Sequence, residues 1–323
     1  MTQAQSNPFL HSDSNKRYYT YDYYLRKTFG GKCAKLALDA GFTCPNIDGR
    51  CGHGGCIYCS DRGSGDFAPK ATLSIPEQIR EQKQQLSHKW DVSRCIAYFQ
   101  AHTNTYAPLS ILQEVYEQAL AQEGIVGLNI ATRADCLPDD VVAYLASLAE
   151  RTTLTVELGL QTSNDQTAEH INRGHSFADF CRGYQSLRRA SPRIGICVHL
   201  IFGLPGENDE TMMQTVRDVA ALSPDQVKIH LLHVLKHTRM ASDYEEGKYQ
   251  PLERDRYIRL VADALELLPL DTVIGRLTGD GAKDALLAPL WSLKKTTVIN
   301  DIDKLLYERG SYQGFRYQSE MRA

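Results

Sequence analysis

Short β-rich runs alternate with helical patterns over most of the chain. The six runs are Cys33–Asp39, Cys95–Ala101, Ile125–Thr132, Leu154–Gln161, Ile194–Leu204 and Gln226–Val234. Helical spacing of apolar residues recurs between them, as in Leu109–Ala121. Six β-α units in a row predict a parallel sheet with helices outside it, and right-handed crossovers roll such a sheet into a barrel. The predicted fold class is therefore α/β, a partial (β/α)6 TIM-type barrel with a C-terminal extension.

Three segments follow from this pattern. Residues 1–31 form an aromatic and basic N-terminal segment, 32–269 the barrel core, and 270–323 an extension expected to close the barrel and contribute to substrate binding. No apolar run approaches the length of a membrane span. The nine cysteines are unevenly placed and do not resemble a disulfide framework, and the first residues lack the apolar core of a signal peptide. We expect a reduced, cytoplasmic protein without a membrane segment.

The net charge of −3 excludes a globally basic nucleic-acid binder, although it leaves room for a local basic face. Five of the seventeen tyrosines fall between Tyr18 and Tyr24, next to basic residues. Two interpretations remain open for them. They could form an aromatic helix packed across the bottom of the barrel, or a surface on which single-stranded nucleic acid stacks.

A long glycine-rich loop, Gly41–Phe67, holds Cys44, Cys51, Cys56 and Cys59. Loops of this length are uncommon in compact domains unless they carry function, and glycines let a backbone approach a bound group closely. The thiols therefore predict a metal centre. Structural zinc is one alternative, with the imidazole of His53 as the fourth ligand. The other is a [4Fe–4S] cluster held by three cysteines, which leaves one iron open to a small chelating molecule.

Polar side chains cluster where the predicted strands end, and this edge carries the active site in barrels. They include His102 and Thr103 after the second run and Gln161 at the end of the fourth. On the sixth run, Lys228 shares one face with His230 and Leu232, because side chains alternate along a strand. A lysine buried there without a partner would be costly, which favours a polar, ligand-filled interior.

At these positions the chain resembles the radical SAM superfamily, in the branch shared by the catalytic subunit of elongator and the YhcC-like bacterial proteins. Five motifs carry the resemblance: Cys44–Asn46, Gly54–Cys59, Glu157–Thr162, Ile171–His175 and His199–Gly206. The acetyltransferase half of the elongator subunit has no counterpart in this chain, so that activity is not carried over.

The resemblance implies that Cys44, Cys56 and Cys59 ligate a [4Fe–4S] cluster whose open iron chelates S-adenosylmethionine (SAM). Cys51 is the rival first ligand, but the Cys-Pro-Asn context at Cys44 matches the pattern of the branch. Further SAM contacts are implied at Tyr58, His102, Thr103, Gln161, Arg173, His199 and Leu232. Among them, Tyr58 and Leu232 would face the adenine, His199 the ribose, and the Arg173 guanidinium the SAM carboxylate. His102 and Thr103 replace the usual glycine-rich contact for the methionine amino group.

A closer resemblance, to the MnmL (YtqA-type) proteins, covers nearly the whole chain. Its motifs are Asn7–Phe9, Gly63–Phe67, Arg276–Asp280 and Ala288–Lys294. It implies modification of the tRNA wobble uridine, from carboxymethylaminomethyluridine towards aminomethyluridine. Lys228, Arg276 and Lys294 are the cations predicted to meet the substrate carboxylate.

The same resemblance implies tRNA, a flavodoxin- or ferredoxin-type electron donor and a downstream tRNA methyltransferase as partners. A local basic face would meet the phosphates through Arg17, Arg26, Lys27, Lys32, Lys294 and Lys295. The alternative is a radical SAM enzyme that acts on a small metabolite or a protein side chain. An iron–sulfur electron carrier or a zinc-binding module is the more distant, non-enzymatic alternative.

Overall fold

A computed structural model describes residues 7–60, 62–63, 65, 68–279 and 283–317 of the 323-residue chain. Four residues of the sequence motifs above, Ser64, Asp66, Phe67 and Asp280, lie outside the described residues.

Seven parallel strands form one sheet in the order β1-β2-β3-β4-β5-β6-β8. The strands are β1 (Ala34–Leu38), β2 (Cys95–Phe99), β3 (Ile125–Thr132), β4 (Thr153–Gln161), β5 (Gly195–Phe202), β6 (Gln226–Leu231) and β8 (Val273–Arg276). Two short antiparallel strands, β7 (Val234–Leu235) and β9 (Leu286–Ala288), pair separately after β6. The predicted partial barrel is confirmed. Its seventh strand, β8, comes from the segment predicted as the C-terminal extension.

Helices connect the strands and cover the outside of the sheet. They are α1 (Tyr21–Phe29), α2 (Ile75–Ser87), α3 (Leu109–Leu120), α4 (Asp139–Ala149), α5 (Asp165–His170), α6 (Phe177–Ala190), α7 (Asp209–Leu222), α8 (Arg239–Glu245), α9 (Arg254–Leu267) and α10 (Lys295–Glu308). Local chemistry fixes several starts: Ser74 and Ser176 each begin a helix with a reciprocal capping box. Within the described ranges, no helix has both the length and the apolar character needed to cross a bilayer.

The two faces of the sheet differ in polarity. On β1, Leu36 and Leu38 are fully buried in the main core, whereas Lys35 and Ala37, which alternate with them, are only partly buried. This period of two separates an apolar outer face, covered by helices, from an inner face that carries polar side chains. The inner face is where a ligand can bind.

The N-terminal segment closes the bottom of the barrel. Leu25 of α1 packs with Cys33 and Ile96, which lie at or just before the first residues of β1 and β2. The structure thus supports the packing interpretation for this aromatic helix. Tyr21 faces inward, and its ring lies 5.4 Å from the Lys35 ammonium.

Two residues predicted to meet tRNA phosphates have other roles. Arg17 is buried, donates to the Ser311 carbonyl at 3.3 Å and lies over the Tyr307 ring. The guanidinium of Arg26 binds the carboxylates of Asp13 and Asp22. The prediction that Arg17 belongs to an exposed basic face is therefore wrong, because the side chain anchors the C-terminal region of the chain.

Candidate active site

A cavity of about 300 Å³ lies between the cysteine loop and the carboxyl ends of the strands. Twelve of the thirteen residues predicted to form the site line it: Cys44, Cys56, Tyr58, Cys59, His102, Thr103, Gln161, Arg173, His199, Lys228, Leu232 and Arg276. Lys294, the third predicted partner of a substrate carboxylate, does not line this cavity and is exposed beside a short 3₁₀ helix, Leu290–Leu293. Its predicted carboxylate contact is therefore not supported.

The cysteine loop is held against the segment Ile171–Gly174. The side-chain amide of Asn46 donates to the backbone carbonyl of Asn172. The side-chain amide of Asn172 in turn donates to the backbone carbonyl of Gly55 at 2.7 Å. The Ile57 amide also donates to the Ile171 carbonyl at 3.1 Å. Asn172 has a positive φ of 54°, a conformation that asparagine tolerates better than most residues. The described part of the loop, which contains no strand or helix, thus acquires a defined position through hydrogen bonds from two side-chain amides and one backbone amide.

Cys51 is separated from the other three thiols of the loop. Cys44, Cys56 and Cys59 line the main cavity, whereas Cys51 lines a second cavity and accepts a hydrogen bond from Arg133 at 3.5 Å. His53, the alternative zinc ligand, is exposed and is not among the described residues that line the main cavity. Three described thiols of the loop are therefore together at the main cavity, without Cys51 or His53.

The chemistry of these thiols suits a metal centre. A hydrogen bond from Cys59 and the positive charge of Arg173 lower the pKa of Cys56 to about 6. The same hydrogen bond, together with burial, raises the pKa of Cys59 well above its usual range. Thiolates are the form of cysteine that binds metals, and binding releases the remaining protons.

Two polar side chains line the cavity from neighbouring segments: Gln161 is the last residue of β4, and Arg173 follows α5. The Arg173 guanidinium donates to the Gly159 carbonyl, while its buried Nε has no hydrogen-bond partner. Gln161 has a φ of 72°, and a Cβ atom at Gly159 would lie 2.8 Å from the Gln161 amide nitrogen. Because Gly159 has no side chain, the Gln161 side chain can occupy this space. Strained backbone of this kind is concentrated at functional sites.

An apolar wall faces these polar groups. Tyr58 and Ile201 pack against a buried cluster that contains Ile57, Ile171 and Leu232. Tyr58, Ile201 and Leu232 all line the cavity. A flat apolar ligand could lie against this wall while polar groups at its edge bind Arg173 and Gln161.

A ring of polar side chains, which we call the polar belt, lies at the inner end of the cavity, and five of its seven members line the cavity. Each strand of the seven-stranded sheet contributes one member: Lys35, Tyr98, Asn129, Glu157, His199, Lys228 and Arg276. Barrel interiors are usually filled by layers of branched apolar residues. Buried charges are expensive unless they are paired, so a layer of this composition indicates function.

Glu157 is the centre of the belt and its carboxylate is completely buried. One oxygen, Oε1, accepts from Lys35 at 2.8 Å and Asn129 at 2.6 Å. The other, Oε2, accepts from the Lys228 ammonium and lies 2.8 Å from His199 Nε2. Burial alone would raise the pKa of Glu157, but the charges of Lys228 and Lys35 hold it well below its usual range. The carboxylate therefore remains ionised.

Burial lowers the pKa of two basic members of the belt, Lys35 and His199. It lowers the pKa of Lys35 to about 7, although the charge of Glu157 opposes the shift. Burial and the charge of Lys228 lower the pKa of His199 to about 4. His199 is therefore a neutral imidazole near pH 7, and it donates Nε2–H to the ionised carboxylate.

Five residues of the site were not in the predicted set: Lys35, Tyr98, Asn129, Glu157 and His230. All lie on strands at positions whose side chains face inward, which the period-two alternation could have identified. Glu157, Cys197 and His199 offer ligand atoms within 4.8 Å of one another. Two lysines already neutralise Glu157, however, so this trio is poorly suited to a cation.

Comparison with known proteins places the chain in a family. Residues 46–219 match the Radical SAM superfamily, and residues 224–308 match the Radical_SAM C-terminal domain. YtqA of Bacillus subtilis is 49% identical, over 97% of both chains. YhcC of Escherichia coli K12 is 37% identical, over 88% of this chain and 91% of that protein.

The chain is also similar to more distant relatives. A tRNA uridine(34) acetyltransferase of Methanocaldococcus jannaschii is 26% identical over 56% of this chain and 32% of its own length. Among solved structures, Methanocaldococcus infernus Elp3 has the same fold, with a TM-score of 0.67 at 18% identity, over 87% of this chain and 64% of that one. The chain therefore belongs to the radical SAM superfamily, in the branch of the YhcC-like and elongator-like proteins, whose enzymes use a [4Fe–4S] cluster and SAM.

Proposed function

We propose that this enzyme modifies the wobble uridine of tRNA, converting its carboxymethylaminomethyl group to aminomethyl. The observation that carries the proposal is the cavity itself, which has three thiols at one end and a cationic belt at the other. A relative named as a tRNA uridine(34) acetyltransferase supports a tRNA substrate. The substrate side chain carries a carboxylate, which matches the charge of the belt.

Cys44, Cys56 and Cys59 would hold the cluster, since their thiols are the described cysteine side chains that line the cavity. When bound, the reduced cluster and SAM supply a 5′-deoxyadenosyl radical, which would take one hydrogen atom from the methylene next to the substrate carboxylate. Return of one electron to the cluster and loss of a proton would leave an imine on the substrate. Hydrolysis of this imine would break the C–N bond, release glyoxylate and leave the aminomethyl group. Arg173, whose buried Nε has no hydrogen-bond partner, would bind the SAM carboxylate with Gln161 beside it. Tyr58 and Leu232 would cover the adenine, and His199 would contact the ribose.

Lys228 and Arg276 would bind the carboxylate of the substrate side chain. Both line the cavity, and they occupy paired positions on the neighbouring strands β6 and β8. To reach them, the wobble base must leave its stack and enter the barrel, as enzymes that modify bases require. The exposed Lys294 beside the 3₁₀ helix would contribute to phosphate binding rather than to this contact.

The reaction also defines partners. The enzyme would receive its electron from a flavodoxin- or ferredoxin-type protein, and a tRNA methyltransferase would act on the aminomethyl product. Because its substrate would be tRNA, we place the enzyme in the cytoplasm.

Mass spectrometry of tRNA nucleosides from a strain lacking this gene tests the proposal. We expect carboxymethylaminomethyluridine to accumulate and the aminomethyl-derived nucleosides to disappear. The wild-type gene should restore the profile, whereas a gene encoding Cys56→Ala should not. An unchanged profile in the deletion strain would contradict the tRNA substrate and favour a small metabolite or a protein side chain instead.

A further inference from the structure

The polar belt carries more positive than negative charge. Lys35, Lys228 and Arg276 are cations when protonated, and Glu157 is the one carboxylate among the seven members of the belt. The Lys228 ammonium also lies 3.5 Å from the Tyr98 hydroxyl and 4.7 Å from the centre of its ring. These contacts with Tyr98 orient the Lys228 side chain, but they do not neutralise its positive charge.

The two lysines approach Glu157 from different sides. Lys35 binds Oε1 and stands 3.8 Å from the centre of the Tyr98 ring. Lys228 binds Oε2, and it lines the cavity together with Glu157 and Arg276, whereas Lys35 is not among the lining residues. Lys35 therefore acts on a ligand in the cavity through Glu157 rather than by direct contact.

Protonation of Lys35 determines how much of the charge of Lys228 is compensated. With Lys35 charged, its own cation balances the Glu157 carboxylate and the charge of Lys228 is left over. With Lys35 neutral, Lys228 itself becomes the counter-ion of Glu157. In a buried site such a change alters the binding of an anion strongly, because the effective dielectric constant is low.

The other groups that face the belt keep one charge state near pH 7. Burial raises the pKa of Tyr98 well above its usual range and that of Cys197 to about 12, so both stay neutral. Burial also lowers the pKa of His199 to about 4 and that of His230 well below its usual range. Glu157 stays ionised, because the charges of Lys228 and Lys35 hold its pKa well below its usual range.

We propose that Lys35, by forming an ion pair with Glu157, leaves the charge of Lys228 uncompensated and makes the belt a proton-dependent carboxylate site formed by Lys228 and Arg276. Lys35 is thus a positioning residue that sets specificity. The proposal rests on the proposed function only for the identity of the molecule that bears the carboxylate.

This site would also distinguish substrate from product. A carboxymethylaminomethyl group ends in a carboxylate, which the belt attracts. An aminomethyl group ends in an ammonium, which Lys228 and Arg276 repel. Like-charge contacts in a desolvated site are a common source of specificity. The belt would therefore favour release of the product after the carboxylate has gone.

Calorimetric binding of N-benzylglycine and benzylamine tests the proposal. The first probe carries a carboxymethylaminomethyl group on an aromatic ring, and the second carries an aminomethyl group, which lacks the carboxylate. Holoenzyme reconstituted with cluster and SAM should bind N-benzylglycine at least about tenfold more tightly than benzylamine at pH 6, the scale of one charge-assisted contact. Its affinity should fall about tenfold between pH 6 and pH 8, as Lys35 loses its proton.

Four variants distinguish a positioning role of Lys35 from a purely structural one. Lys35→Met should bind N-benzylglycine weakly at both pH values, and Lys35→Arg should bind it tightly at both, because arginine stays charged. The exposed Lys89→Met is the matched control and should keep the wild-type profile. Arg276→Met should lose about tenfold at both pH values while keeping the ratio between them.

Two results would overturn the proposal: equal affinity of the wild type for the two probes, or a Lys35→Arg enzyme that still loses affinity at pH 8. If the probe results hold but the tRNA profile of the deletion strain is unchanged, the carboxylate site stands and the tRNA substrate falls. If the tRNA profile changes but the wild type binds both probes equally, the substrate stands and the role of Lys35 falls.

Discussion

The two ends of the cavity are built in different ways. The thiol end is a loop whose described part contains no strand or helix and which depends on Asn46 and Asn172 for its position. The polar belt lies on seven strands, and its central Glu157 is bound by four donors. A loop can wrap a group that is assembled after folding, whereas strands hold charges at fixed separations. The first end thus suits a cofactor and the second a substrate.

The largest expected effect comes from removing thiols at the loop end. Cys44→Ala, Cys56→Ala or Cys59→Ala should abolish the visible absorption of the reconstituted cluster, since three ligands leave none to spare. Cys51→Ala is the matched control and should retain most of it, because this thiol lines the second cavity. Absorbance and iron content of anaerobically reconstituted protein measure the effect. Loss with Cys51→Ala and retention with Cys44→Ala would reverse the ligand assignment.

At the belt end, replacing Glu157 should lower the free energy of unfolding more than it affects cofactor binding. Glu157→Leu leaves the buried Lys228 without its counter-ion, and we expect a loss of about 3–5 kcal/mol in the free energy of unfolding. Glu157→Gln keeps an acceptor and should cost less. Urea unfolding of the apoprotein gives both values. If Glu157→Leu proves as stable as the wild type, the belt is not the buried ion-pair network described above.

A smaller loss of stability should follow when a methyl group is added at a crowded position of the cysteine loop. A Cβ atom at Gly52 would clash with Asn46 Oδ1, whereas one at Gly31 would meet the mobile end of Arg94. Gly52→Ala should therefore cost about 1–3 kcal/mol of stability and lower the iron content after reconstitution, because Asn46 must move. Gly31→Ala should change neither. Normal iron loading of Gly52→Ala would mean that Asn46 does not position the thiols.

The smallest effect concerns the ring of Tyr98, which lies between the two lysines of the belt. Tyr98→Phe keeps the ring and should cost about 1 kcal/mol or less. Tyr98→Leu also removes the cation–π contacts and should cost up to about 2 kcal/mol more. The difference in unfolding free energy between the two variants measures the ring itself. Equal stability of the two variants would show that the aromatic ring at position 98 does not stabilise the two lysines.

The sequence predicted the thiol end better than the belt. Cysteine spacing and glycines mark the loop with its four thiols because these residue types stand together in one stretch, and the resemblance implied Cys44, Cys56 and Cys59 as the ligands. Lys35 and Glu157 are 122 positions apart, and only the closure of the sheet brings them within 2.8 Å. The strand β8 lies in the segment predicted as an extension, and its membership of the main sheet depends on a long-range pairing with β6. Tertiary pairings of this kind leave no local pattern.

The central claim is that one cavity joins radical chemistry at the thiol end to a carboxylate-bearing uridine at the belt. The most direct measurement uses tRNA whose wobble carboxymethylaminomethyl side chain is deuterated on both methylene carbons. Reduced holoenzyme is incubated with SAM and this tRNA, and the 5′-deoxyadenosine is analysed by mass spectrometry. We predict one deuterium atom in the 5′-deoxyadenosine and aminomethyluridine in the tRNA. Unlabelled 5′-deoxyadenosine, with the side chain intact, would contradict the claim.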